Sequence, residues 1–274
     1  MTVGKQPSRA AAARAAQPEA AAVAALLCAQ GLHKRFGGIQ AVRDISLAVP
    51  RESIVAIIGP NGAGKSTLLN LMSGLYQPDA GSIVFDGRDV AGLPAHRRAR
   101  LGLARTFQKT RLFRQLSVLD NVVAAFHVHH DIPSWQYVVH AGAFARDHAR
   151  CRNKAMELLA FVGLAPRAAL PAASLPYGEQ RMLELARALA TAPRLLMVDE
   201  PAAGLNAAEV ERLVERIRVL RERGMTVIVV EHNMDLVMRI ADHVMVMDYG
   251  QHLFAGTPAE VQANPLVIAA YLGA

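Results

Sequence analysis

The octapeptide Gly59-Pro60-Asn61-Gly62-Ala63-Gly64-Lys65-Ser66 carries glycines, a lysine and a hydroxyl in the order GxxxxGK[ST]. Glycines so spaced let successive backbone N–H groups turn inward on an anion, and a helix starting behind them adds positive partial charge. In that arrangement Lys65 reaches the β- and γ-oxygens of a bound nucleotide, Ser66 offers its hydroxyl to Mg²⁺, and Thr67 is a further donor to phosphate. A Mg·nucleotide site also needs an acid for the metal and a group that handles the attacking water. Asp199 and Glu200 meet these needs together: Asp199 as the metal-linked carboxylate, Glu200 as the general base. His232 stands where it can touch a γ-phosphate.

These residues require rigid supports, and the flanking runs supply them. Ile54-Val55-Ala56-Ile57-Ile58, directly before the glycine-rich loop, is continuous and mostly β-branched, as in a strand buried on both faces of a parallel sheet. Leu195-Leu196-Met197-Val198 leads into Asp199 in the same way, and Val227-Ile228-Val229-Val230 leads toward His232. Between the last two runs, Val210, Leu213, Val214, Ile217 and Leu220 recur at helical spacing, opened by Asn206 with Glu209 in capping-box position and closed by Gly224. Strand, helix, strand predicts a βαβ crossover.

Hairpins are predicted at Leu26–Val49, broken by Gly37-Gly38, at Ile83–Phe85 before Asp86-Gly87, and at Val244–Met247 before Gly250. From about 110 to 190 strand signals give way to helical patterns punctuated by prolines. The expected fold class is therefore α/β: a P-loop NTPase core with a parallel sheet, an antiparallel β flank and an inserted helical subdomain.

Composition bounds the function. The 274 residues are 52% hydrophobic and 19% charged, which excludes a disordered or fibrous chain. A net charge of +7 admits acidic partners, including nucleic acid, without demonstrating one. Cys28 and Cys151 lack metal-ligand spacing and read as free thiols of a reducing compartment. No window reaches the ~20 apolar residues of a membrane-spanning helix. Ala20–Ala29, behind Lys5, Arg9 and Arg14, imitates a signal peptide, but Leu26-Leu27-Cys28 serves better as the start of a first strand. Residues 1–24 read as a disordered Ala/Arg-rich extension, and 25–274 as one domain.

Three other clusters read as structural. His127, His129 and His130 have no carboxylate or cysteine at metal-site spacing. Arg97, Arg98 and Arg100 read as a solvated basic face. Trp135 and Tyr137 read as core or rim residues of the helical insertion.

The long helical stretch between Lys65 and Asp199 makes the chain resemble the ATP-binding subunit of an ATP-binding cassette (ABC) transporter from about Leu26 to the C-terminus. The resemblance implies ATP and Mg²⁺ as ligands. Phe36 stands where the family stacks an aromatic on adenine, and Gln108, in Arg105-Thr106-Phe107-Gln108, matches the glutamine that senses Mg²⁺ and the attacking water. Leu175-Pro176-Tyr177-Gly178-Glu179 occupies the signature position, which the family presents to the ATP of a partner subunit. Only Leu175 and Gly178 match the LSGGQ consensus, so this face is expected to rely on backbone N–H groups and a helix N-terminus. Ala203-Gly204-Leu205-Asn206 matches the D-loop with Asn for Asp.

Arg105–Gln108 with Arg111-Leu112-Phe113, then Glu200–Asn206, and the tail from Gly256 to Gly273 look like the branched-chain amino acid importer ATPases. That resemblance implies transmembrane permease subunits, a second ABC ATPase subunit, an extracytoplasmic solute-binding protein, and a peripheral position on the cytoplasmic face of the inner membrane. Urea, amides and other small solutes are the alternative cargo. A soluble ABC ATPase acting on DNA or ribosomes is the competing class, and nucleic acid is not expected, because a single cassette without a long coiled coil is the transporter arrangement. A GTP switch would need an NKxD-type guanine reader, which the chain lacks.

Overall fold

The structure, a computed structural model, describes residues 25–106, 111–126 and 141–272. The N-terminal extension, Gln108, His127, His129, His130, Trp135 and Tyr137 lie outside the described residues. The chain opens with a hairpin of β1 (Ala25–Phe36) and β2 (Ile39–Pro50), followed by β3 (Ile54–Ile58) and α1 (Lys65–Ser73). A second hairpin pairs β4 (Ala80–Phe85) with β5 (Arg88–Asp89) through Asp86 and Gly87, both at positive φ as a type I′ turn requires. Next come α2 (Ala95–Arg100) and β6 (Leu103–Arg105). Among the described residues three α-helices then intervene, α3 (Val118–Phe126), α4 (Ala141–Phe161) and α5 (Tyr177–Ala190). The remaining elements are β7 (Leu195–Asp199), α6 (Ala207–Glu222), β8 (Thr226–Val230), α7 (Met234–Ile240), β9 (His243–Asp248), β10 (Gln251–Gly256), α8 (Pro258–Ala263) and α9 (Pro265–Leu272).

Two sheets result. The antiparallel flank has the order β2-β1-β4-β5, and the main sheet the order β10-β9-β3-β8-β7-β6. All pairs of the main sheet are parallel except β9 with β10. The run ending at Met247 is therefore not part of the antiparallel flank: β9 is a parallel neighbour of β3, and only β10 returns as its hairpin mate. β6 is too short to be read as a strand from three residues, and exists because β7 pairs with it.

Every residue of β3, β7 and β8 is buried, as their continuous apolar runs predict. Alternate residues feed opposite layers. Leu196, Val198, Val227 and Val229 pack with Val122, Leu159, Leu183 and Ile217 of the helical side. Leu195, Met197, Ile228 and Val230 pack with Leu68 and Met72 of α1 and with Leu27, Ile45 and Phe85 of the antiparallel sheet. The capping box forms as expected: Asn206 Oδ1 accepts from the Glu209 N–H at 3.0 Å, and Glu209 accepts from the Asn206 N–H at 2.9 Å.

Within the basic run on α2, Arg97 and Arg100 are exposed, as a solvated face requires, but Arg98 is not. Arg98 is fully buried and donates to four carbonyls, those of Leu71 (2.7 Å), Met72 (2.8 Å), Ala91 (2.9 Å) and Leu93 (2.9 Å). Leu71 and Met72 lie in the last turn of α1, where the helix dipole favours a cation and carbonyls run short of helical donors, although that of Leu71 also accepts from the Gly74 N–H at 3.2 Å. Gly74 makes room for it, since a Cβ there would stand 2.7 Å from Arg98 Nε. Burial pulls the Arg98 pKa down to about 10, which still leaves it charged at neutral pH.

Candidate functional site

The register of the main sheet gathers the candidate residues. Ile57 and Asp199 both pair with Val230, so β3, β7 and β8 end level, and the segments that leave them share one edge. At the carboxyl ends of adjacent parallel strands lie Gly59–Ser66, Asp199-Glu200 and Glu231-His232, in the crevice where open α/β sheets hold ligands.

The glycine-rich loop is shaped by close backbone approach. A Cβ on Gly59 would meet the Met247 carbonyl oxygen at 2.0 Å, and one on Gly64 would meet that of Ala41 at 2.2 Å. Gly64 ends the loop at φ 93° as the N-cap of α1, with no side chain capping the helix, so its N-terminal dipole faces the loop. Pro60 is partly buried, Asn61, Gly62 and Ser66 are exposed, Thr67 is partly buried, and Ala63 is buried. Lys65 is 5% exposed, and its Nζ donates to the carbonyls of Gly59 at 2.8 Å and Pro60 at 2.9 Å. Burial lowers its pKa, against the opposing pull of Glu200 and Asp199.

Asp199 is buried and ion-paired to Arg105, Nη2 to Oδ2 at 2.8 Å. Its pKa is raised, because burial outweighs the stabilising guanidinium, and nearby Glu200 adds to the rise. Glu200 is partly buried and holds φ at 45°, a conformation that non-glycine residues rarely adopt. Its N–H donates to the Val230 carbonyl at 2.8 Å, which ties the segment after β7 to the end of β8.

Two residues here were missed in the sequence. Glu231 is fully buried; one carboxylate oxygen accepts from the Ala202 N–H at 2.9 Å and the other from the His232 N–H at 3.1 Å. It thereby fixes the chain on both sides of the crevice, while the His232 ring is 55% exposed with Nδ1 3.8 Å from Glu231. A carboxylate directly after an apolar strand was the available signal, the same one that marked Asp199. Tyr76 is the other: it meets Phe36 edge-on, with centroids 5.3 Å apart, and leaves Phe36 42% exposed.

The segment Leu175–Glu179 packs on the chain that follows β7. Leu175 is buried, and Pro176 is the N-cap of α5 without a side-chain cap. The Tyr177 ring lies against Gly204, where a Cβ would be 3.0 Å from it, and under the Arg181 guanidinium at 5.2 Å. Gly178 abuts Glu209, whose carboxylate would be 2.2 Å from any Cβ placed there. Glu179 forms an ion pair with Arg167 at 2.9 Å.

This donor set fits a hard divalent cation. Asp199 is a carboxylate in a place where burial penalises an uncompensated charge, and Ser66 is an exposed hydroxyl in the first turn of α1. The glycine cradle fits phosphate.

Residues 42–203 match the family described as ABC transporter, and residues 251–274 match that described as branched-chain amino acid ATP-binding cassette transporter. The chain is 44% identical over 249 residues to the high-affinity branched-chain amino acid transport ATP-binding protein BraF of Pseudomonas aeruginosa, covering 90% of this chain and 98% of that one. It is 42% identical, with the same coverage, to LivG of Escherichia coli, which bears the same description. Among solved structures, a nucleotide-free ATP-binding cassette from an ABC transporter superposes with a TM-score of 0.80 at 27% identity, covering 91% of this chain and all of that one. The glycine cradle, the acid pair at the end of β7 and this similarity along nine-tenths of its length agree: the chain belongs to the ATP-binding cassettes of the ABC transporter family.

Proposed function

We propose that this chain is the ATP-hydrolysing motor subunit of a membrane importer for branched-chain amino acids. The observation that carries the reading is the level ending of β3, β7 and β8, which brings Lys65, Asp199, Glu200 and His232 to one crevice in a chain whose relatives are branched-chain amino acid transport ATP-binding proteins.

In this reading the loop N–H groups of Gly59–Ser66 and the N-terminus of α1 hold the phosphates, with Thr67 as a further donor. Lys65 leaves the carbonyls of Gly59 and Pro60 for the β- and γ-oxygens, a move made easy because it trades two neutral acceptors for anionic ones. Ser66, Asp199 and Gln108 would hold Mg²⁺, which when bound neutralises phosphate charge. Glu200 orients the attacking water and takes its proton. His232, its backbone pinned by Glu231, reaches the γ-phosphate. Phe36 stacks on adenine. Leu175, Pro176, Tyr177, Gly178 and Glu179 serve the nucleotide of a second ABC ATPase subunit, through the N-terminal N–H groups of α5, since Glu179 is already paired with Arg167.

Among the described residues no helix is long and apolar enough to cross a membrane. In this reading, which rests on the importer ATPases it resembles, the chain works as a peripheral subunit on permease partners at the cytoplasmic face of the inner membrane, with an extracytoplasmic binding protein delivering the solute. Deleting the gene and measuring uptake of labelled leucine and of urea tests the cargo. Loss of leucine uptake alone is the expected result. Unchanged leucine uptake in a strain without a second leucine system rejects it, and a loss of urea uptake transfers the motor to that solute.

A further inference from the structure

The geometry points to Arg105 as the positioning residue of the metal acid: its guanidinium holds Asp199 by Oδ2 in one orientation and so leaves Oδ1 to Mg²⁺. Arg105 ends β6, one strand outside β7, and its side chain reaches the carboxyl edge of the sheet. There it donates from Nη2 to Asp199 Oδ2 at 2.8 Å, and from Nη1 to Asn70 Oδ1 at 2.5 Å and Ser73 Oγ at 3.1 Å. The Arg105 and Asp199 side chains are 8% and 5% exposed. Asn70 and Ser73 belong to α1, the helix that opens with Lys65 and Ser66. One guanidinium thus ties the helix carrying the hydroxyl ligand to the strand carrying the carboxylate ligand.

The physical need for this tie follows from burial. Asp199 sits where desolvation disfavours its ionised form, yet a metal acid must be ionised and must keep one oxygen aimed at the metal. Arg supplies a permanent charge in a planar fork that can serve a carboxylate and an amide at once. Lys is a point charge that cannot span both.

The inference rests on the Mg·nucleotide reading of the site, and its test separates the two. Binding of a fluorescent ATP analogue to the full-length subunit is measured in EDTA and then along a Mg²⁺ titration, for the wild type, Arg105→Lys and Asn70→Ala; Mn²⁺ binding by electron paramagnetic resonance gives a second readout. For Arg105→Lys the expected result is EDTA binding within about twofold of wild type and a half-saturating metal concentration raised about ten- to hundredfold. Asn70→Ala, which leaves the ion pair and the Ser73 bond but removes the shorter of the two bonds to α1, should shift in the same direction by less. It carries the test alone if Arg105→Lys does not fold. Unchanged metal half-saturation in the folded variants overturns the inference, and so does an equal loss of affinity in EDTA and in Mg²⁺, which marks a merely structural role. A wild-type protein with the same affinity in both overturns the Mg·nucleotide reading itself, and the inference with it.

Discussion

Glu200 and Arg98 show how much one residue decides here. Glu200 is held at a left-handed φ by the strands around it, the kind of strain that persists where geometry is imposed by function. Glu200→Gln keeps shape and hydrogen-bonding capacity but cannot accept the proton. ATP binding should survive while steady-state hydrolysis by the assembled complex falls about 10²–10⁴-fold. Lys65→Ala should instead weaken nucleotide binding, so near-wild-type turnover in the Gln variant would remove Glu200 from the role of base. Arg98 belongs to stability: Arg98→Ala would leave the carbonyls of Leu71, Met72, Ala91 and Leu93 without their buried donor. A loss of about 2–4 kcal/mol in urea unfolding is expected, and a change under about 0.5 kcal/mol would contradict the account.

At the scale of elements, the turn between β4 and β5 is tied to the main sheet through one carboxylate. Asp86 pairs with Arg51 just after β2, at 2.6 Å, and with Arg194 just before β7. These two guanidinium groups hold its carboxyl well below its ordinary value of 3.8, at about 2. The folded state thus keeps Asp86 ionised where the unfolded chain would protonate it. The contribution is complete above the unfolded pKa and fades as pH falls through about 2. Asp86→Asn should therefore melt earlier than wild type at pH 5, with the gap closing toward pH 2. A gap that stayed constant across that range would show the pairs to be decorative, as exposed ion pairs often are.

At the scale of the whole molecule, the signature segment and the phosphate loop are carried by different parts of the chain. Tyr177 and Gly178 rest on Gly204 and Glu209, beyond the end of β7, while Lys65 sits on the loop after β3. In the proposed function a nucleotide on the loop is completed by a second subunit's signature segment. The purified subunit should hydrolyse ATP slowly, with a rate per subunit that climbs with protein concentration and climbs further with the permease present. A dilute subunit whose specific activity is independent of concentration, and unaltered by the membrane partners, would refute the shared site.

What the sequence determined by itself was local and periodic. The apolar runs of β3, β7 and β8 bury on both faces because nothing in them asks for water, and Asn206 with Glu209 caps α6 within a four-residue reach. The glycine-rich loop was legible for the same reason: its chemistry is that of its own backbone. Tertiary structure alone decided where isolated charges went. Arg98 looks like one of three solvated arginines until the carbonyls at the end of α1 are brought to it. Arg105 and Asp199 lie 94 residues apart, and only the pairing of β6 with β7 makes them neighbours. Glu231 likewise acquires a role only because Ala202, 29 residues away, turns its N–H toward it. A charged side chain is stable in the interior only where its partners converge, and that convergence is set by the packing of distant elements.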